Sequence, residues 1–152
     1  MHQNASVIMA ALGSALILCA PRSARASAPV DPCMLLTTAQ VSSAIGGTAQ
    51  AGQPIYTTGC SWSSESPKAM VTIALESDSM YMAMKAAKSP MIVNTAISGV
   101  GDDAYYKTLG VTSTLTVKKG NTVFVVRVYG ITDPSKQREI EKTLATDVAA
   151  RL

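Results

Sequence analysis

Residues 113–129, STLTVKKGNTVFVVRVY, decide how this chain reads. Two runs rich in β-branched and aromatic residues, Ser113–Lys119 and Thr122–Tyr129, flank Gly120-Asn121, a two-residue hairpin signal. Successive side chains of a strand point to opposite faces. In Thr122–Tyr129 this puts Val123, Val125 and Tyr129 on one face and Phe124, Val126 and Val128 on the other. A strand apolar on both faces belongs at the centre of a sheet, with packing above and below it.

Outward from this hairpin, Ala104–Thr108 reads as a third strand. Met91–Asp103 before it reads as a long connection ending in the turn cluster Ser98–Asp103. Further upstream Val71, Ile73 and Leu75 alternate within a strand Met70–Glu76, which follows a strand Gly59–Ser64 across the turn Ser66-Pro67-Lys68. Ser77 or Asp78 caps a helix Ser79–Lys88, stopped by Ser89-Pro90. Residues 48–58, broken by Gly52 and Pro54, read as a loop or irregular edge.

Helices close both ends. Thr37 and Gln40 form a capping-box pattern with Leu36 and Val41 as a hydrophobic staple, and Gly46-Gly47 ends that helix. Asp133-Pro134 supplies N-cap and first turn of the last helix, expected to run to Leu152 with Ile140, Leu144, Val148 and Leu152 as its buried stripe. The order α-β-β-α-β-β-β-α predicts an α+β domain, a largely antiparallel sheet packed by helices.

The first 28 residues have a different character. Ala5–Ala20 is uncharged, about 16 residues long and shorter than the ~20 needed to span a bilayer. Small residues follow, so a cleavable signal peptide is expected, cut after Ala26 or Ala28, with residues 29–152 as one mature domain and no stable membrane span. A lipoprotein signal needs a small residue before the lipidated cysteine. Leu18 stands before Cys19, so lipid anchoring is not expected and the protein is placed in the periplasm or outside the cell.

Removing the signal takes away the chain's one histidine, His2, and two arginines, Arg22 and Arg25. That leaves 11 Lys and Arg against 10 Asp and Glu. A near-neutral domain has no electrostatic case for binding nucleic acid. Without histidine, most metal sites and every His-dependent triad are closed. Cys33 and Cys60 remain; in an oxidising compartment such a pair reads as a disulfide, with two free thiols as the alternative.

Three motifs in order, Asp31-Pro32-Cys33 with Leu35-Leu36-Thr37, Cys60-Ser61-Trp62, and Ile97–Ala104 (ISGVGDDA), resemble a secreted domain known mostly from actinobacterial lipoproteins, domain of unknown function 3558. The resemblance covers nearly all of residues 29–152. It implies an extracytoplasmic domain with a Cys33–Cys60 bridge and no established activity.

The side chains that could carry function are few. Met80, Met82, Met84 and Met91 offer thioethers, which suit Cu(I), and Met80 and Met84 share a helix face; the competing role for methionine is to fill irregular gaps. Asp102 and Asp103 follow a Gly-rich turn but supply too few oxygens for calcium. Trp62 shares a strand face with Cys60, either packed on the cysteine or exposed as a binding anchor. Of Tyr105 and Tyr106, alternation sends one ring inward and one out. No Ser or Thr sits in a nucleophile elbow, so a Ser–Lys pair is the one enzymatic alternative left. The expectation is therefore an exported, non-catalytic binding domain with no cofactor, whose partner is an envelope protein or a small ligand. Trp62, Tyr105, Tyr106, Asp102 and Asp103 are its candidate surface, and the alternative is a small-molecule or Cu(I) protein using Met80 and Met84.

Overall fold

The computed structural model describes residues 29–152; the expected signal peptide, its expected cleavage sites and Cys19 lie outside the described residues. Its strands are β1 (Gln53–Ile55), β2 (Gly59–Glu65), β3 (Lys68–Glu76), β4 (Ile92–Ile97), β5 (Asp103–Leu109), β6 (Thr112–Lys119) and β7 (Thr122–Tyr129). The helices are α1 (Thr38–Ile45), α2 (Asp78–Ala86) and α3 (Pro134–Ala149), with a 3-10 turn at Pro32–Met34. All seven strands form one antiparallel sheet in the order β1-β2-β3-β7-β6-β5-β4, so the doubly apolar strand β7 stands at its centre.

Both faces of β7 are covered. Phe124, Val126 and Val128 join Trp62, Val71, Ile73, Leu115 and Val117 in the main core, closed by Val41 and Ile45 of α1 and by Ile140, Leu144 and Val148 of α3. Val123, on the opposite face, packs with Tyr81 of α2 and Tyr105 of β5 in a second, smaller cluster. Helix α2 covers only part of this face. Tyr129, expected to be covered like Val123 and Val125, is 41 % exposed.

The helix ends follow the local chemistry. Thr37 and Gln40 form the capping box, and Gly46 closes α1 at φ +70°, a left-handed conformation that glycine adopts without steric cost. Leu36 and Val41, the expected staple, are both buried. Asp133 caps α3 by accepting from the Ser135 and Lys136 amides. That helix ends three residues short of Leu152, which is 38 % exposed and lies outside its buried stripe.

The inner face of α3 also carries two polar residues. Ladder pairing between β6 and β7 stops at Leu115 and Val126, leaving Ser113 and Val128, which pair with Thr108 and Val71 on their other sides, without a ladder partner across the β6–β7 seam. The Gln137 amide donates to the Val128 carbonyl at 2.9 Å, and Glu141 accepts from the Ser113 hydroxyl at 2.8 Å and from the Val128 amide at 3.4 Å. Side chains thus replace missing ladder bonds, as buried backbone polar groups require.

The stretch 91–103 is not a connection throughout, because Ile92–Ile97 forms the edge strand β4. As an edge beyond the reach of α3, it leaves Val93 58 % exposed, so no buried alternation marks it. Within 48–58, Gln53–Ile55 makes a three-residue edge strand interrupted by Pro54, in keeping with an irregular edge.

Candidate functional site

Partial coverage by α2 creates a cleft, and tethers along the whole helix set its geometry. At the first turn Asp78 pairs with Lys118 of β6. In the middle, the Tyr81 hydroxyl donates to Asp103 at 2.6 Å, and Lys85 of the last turn makes an ion pair with the same carboxylate. At the last turn the Asn94 amide of β4 donates to the Met84 carbonyl at 3.0 Å. The rings of Tyr81 and Tyr105 meet at 5.6 Å with a 53° tilt, a favoured aromatic geometry.

Between this helix and the sheet lies a cleft of about 130 Å³. Met80, Tyr81 and Met84 form one wall; Tyr105, Val123 and Val125 form the other. Its polar boundary is Thr114, Thr116, Glu76, Lys107 and Arg127. Burial first, then the Asp103 hydrogen bond, pushes the Tyr81 phenol well above its ordinary range, and burial does the same to Tyr105. Both rings stay neutral hydrogen-bond donors and cannot act as bases near neutral pH.

The expected site residues divide between core, clasp and cleft. Trp62 is 2 % exposed on the main-core face, and a Cβ on Gly52 would stand 2.8 Å from its Nε1 and 3.0 Å from Cys60 Sγ. Tyr105 and Tyr106 are both buried, which corrects the expectation of one ring inward and one outward: a sheet covered on both sides leaves neither in solvent. Tyr106 donates from its hydroxyl to the Arg138 carbonyl at 2.6 Å, and burial pushes its phenol up to about 12. Trp62 and Tyr106 therefore offer no binding surface, and Tyr105 offers one only where its ring lines the cleft.

Asp102 is exposed and Asp103 partly exposed, and both carboxylates are already engaged. Asp102 accepts from the Gly120 amide at 2.7 Å and from Lys119 at 3.0 Å, contacts that hold its carboxyl below the usual range. Asp103 is held below that range first by Lys85 and then by Tyr81. No group of three His, Cys, Asp or Glu suited to a metal occurs among the described residues. Cys33 and Cys60 are joined in a disulfide.

Met80 and Met84 do border the cleft together, as their helical spacing requires, whereas Met82 is 58 % exposed elsewhere. Two cations, Lys107 and Arg127, share that cleft and work against seating Cu(I) between the thioethers. Reading residues one at a time missed these two. The signal was available: Arg127 is the charged exception on the Val123–Val125 face of an otherwise apolar strand. Comparison with family models, with curated proteins and with solved structures gives no match to this chain.

Proposed function

We propose that this chain is an exported, non-catalytic binding domain whose site is the cleft between α2 and the open half of the sheet. The observation that carries this reading is a concave, mainly apolar space bounded by a few convergent polar groups, the usual form of a small-molecule site. Tethers at both ends and the middle of α2 support it, since a preformed wall loses less entropy when a ligand enters. Export rests on the N-terminal signal, and the non-catalytic reading on the sequence, where residues 29–152 hold no histidine and no nucleophile elbow and a Ser–Lys pair is the one enzymatic alternative. The family resemblance is likewise part of the proposal. A small ligand is favoured over a protein partner because the candidate aromatic anchors Trp62, Tyr105 and Tyr106 are interior.

A screen of small aromatic and aliphatic fragments by ligand-observed NMR tests the site, using the protein and its Thr114→Trp variant. Thr114 lies half-buried on the cleft boundary, so an indole there blocks the space without entering either core cluster. Fragments that bind the parent and lose at least about tenfold in affinity in the variant, a cost of ~1.4 kcal/mol, are expected. Absence of binding, or binding indifferent to Thr114→Trp, would contradict the proposal.

A further inference from the structure

The cations around α2 fall into two groups. Lys85, Lys118 and Lys119 are matched with Asp103, Asp78 and Asp102. Lys107 and Arg127, which border the cleft and are half-buried, have no ion-pair partner among the described residues. Arg127 stands opposite Thr72 in the β3–β7 register, and Lys107 stands opposite Thr114 in the β5–β6 register. Only β6 separates their strands, two strand spacings or about 10 Å where the ladder is intact, and the β6–β7 pairing ends one residue short of Arg127. Side chains of this length can converge on one anion above Thr114.

Within the cleft, we infer that the ligand is a small amphipathic monocarboxylate, with its apolar body against Met80, Met84 and Tyr105 and its carboxylate on Arg127 and Lys107; this rests on the cleft being the binding site. The Arg fork matches a carboxylate in two-pronged fashion, and Lys adds a point charge. A half-buried cation without a counterion has lost part of its hydration, which an incoming anion offsets. The whole cleft, at about 130 Å³, is close to a cavity of ~150 Å³ that takes benzene, so the ligand is of one-ring or short-acyl size. Flexible methionine side chains accommodate such a body in more than one shape. Glu76 limits the ligand to one carboxylate. It lies four residues along β3 from Thr72, the partner of Arg127, and opposes a second negative charge on the apolar end.

Calorimetric titration with phenylacetate and with its neutral counterpart phenylacetamide tests the inference, using the protein and the double variant Lys107→Gln/Arg127→Gln. Phenylacetate is expected to bind at least about tenfold more tightly than the amide, and more weakly as salt is raised. In the double variant that advantage is expected to fall to about twofold or less, with the amide still binding, weakened only by its lost carbonyl contacts, as the control that the cleft is intact. Equal affinity for acid and amide, or an advantage that survives both substitutions, would overturn the carboxylate assignment while leaving the cleft as a site. Failure of both compounds to bind the parent protein would overturn the cleft itself.

Discussion

Glu141 and Gly52 show how much single positions constrain this molecule. Glu141 is fully buried, and desolvation holds its carboxyl above the ordinary 4.5 despite hydrogen bonds from Ser113, Gln137 and Val128. The folded state then binds this proton more tightly than the unfolded chain does. Its stabilising contribution is complete below the unfolded value and is lost as pH rises through the folded one. Glu141→Gln keeps an acceptor for Val128 and can donate to Ser113, so its urea midpoint is expected to gain on the parent's as pH rises from about 4.5 to 7.5. Parallel pH profiles would contradict this. At Gly52, an added methyl would press on the Trp62 indole and on Cys60 Sγ. Gly52→Ala is expected to cost about 1–3 kcal/mol and to shift the emission of the chain's one tryptophan, which denaturation followed by fluorescence reads directly.

Helix α2 depends on specific contacts more than on buried area, since among its residues only Tyr81 is buried. Tyr81→Phe removes the hydroxyl bond to Asp103 and is expected to cost about 1 kcal/mol. Hydrogen exchange should locate that loss in the α2 amides, with β7 amides exchanging as before; uniform acceleration through the sheet would show that α2 is not a separate unit. Elements with strong local chemistry were legible in the sequence. The Thr37–Gln40 capping box, the Gly120-Asn121 turn and the two-faced apolar pattern of β7 each carry their instruction within a few residues. Strand β4 was not, because an edge strand facing solvent shows no buried alternation to read. The cleft was half legible: helical spacing placed Met80 and Met84 together, but Lys107 and Arg127 meet them only through the strand order β7-β6-β5.

Across the whole molecule, the three sequence motifs Asp31–Thr37, Cys60–Trp62 and Ile97–Ala104 lie at junctions of the fold. Asp31 accepts from the Cys33 amide at 2.9 Å and starts the turn that presents Cys33 to Cys60. Cys60 and Trp62 face the main core. Gly101, at φ +61°, passes close to Lys118 while Asp102 clasps Gly120 of the β6–β7 turn. Such motifs describe a scaffold; the residues lining the cleft lie outside them, while Asp103 of the third motif tethers α2. The disulfide ties the chain's entry to β2 across 27 residues, and replacing both cysteines by serine is expected to cost roughly 3–4 kcal/mol in a chemical denaturation experiment. No helix among the described residues is long and apolar enough to cross a membrane.

The proposed cleft is tested most directly by NMR of methionine ε-methyl groups labelled with carbon-13, during titration with phenylacetate. Met80 and Met84 border the cleft, whereas Met34 and Met91 stand exposed outside it. The account predicts saturable shifts at Met80 and Met84 with Met34 and Met91 unmoved. Shifts centred on Met34 or Met91, or none at Met80 and Met84 at saturating ligand, would contradict it.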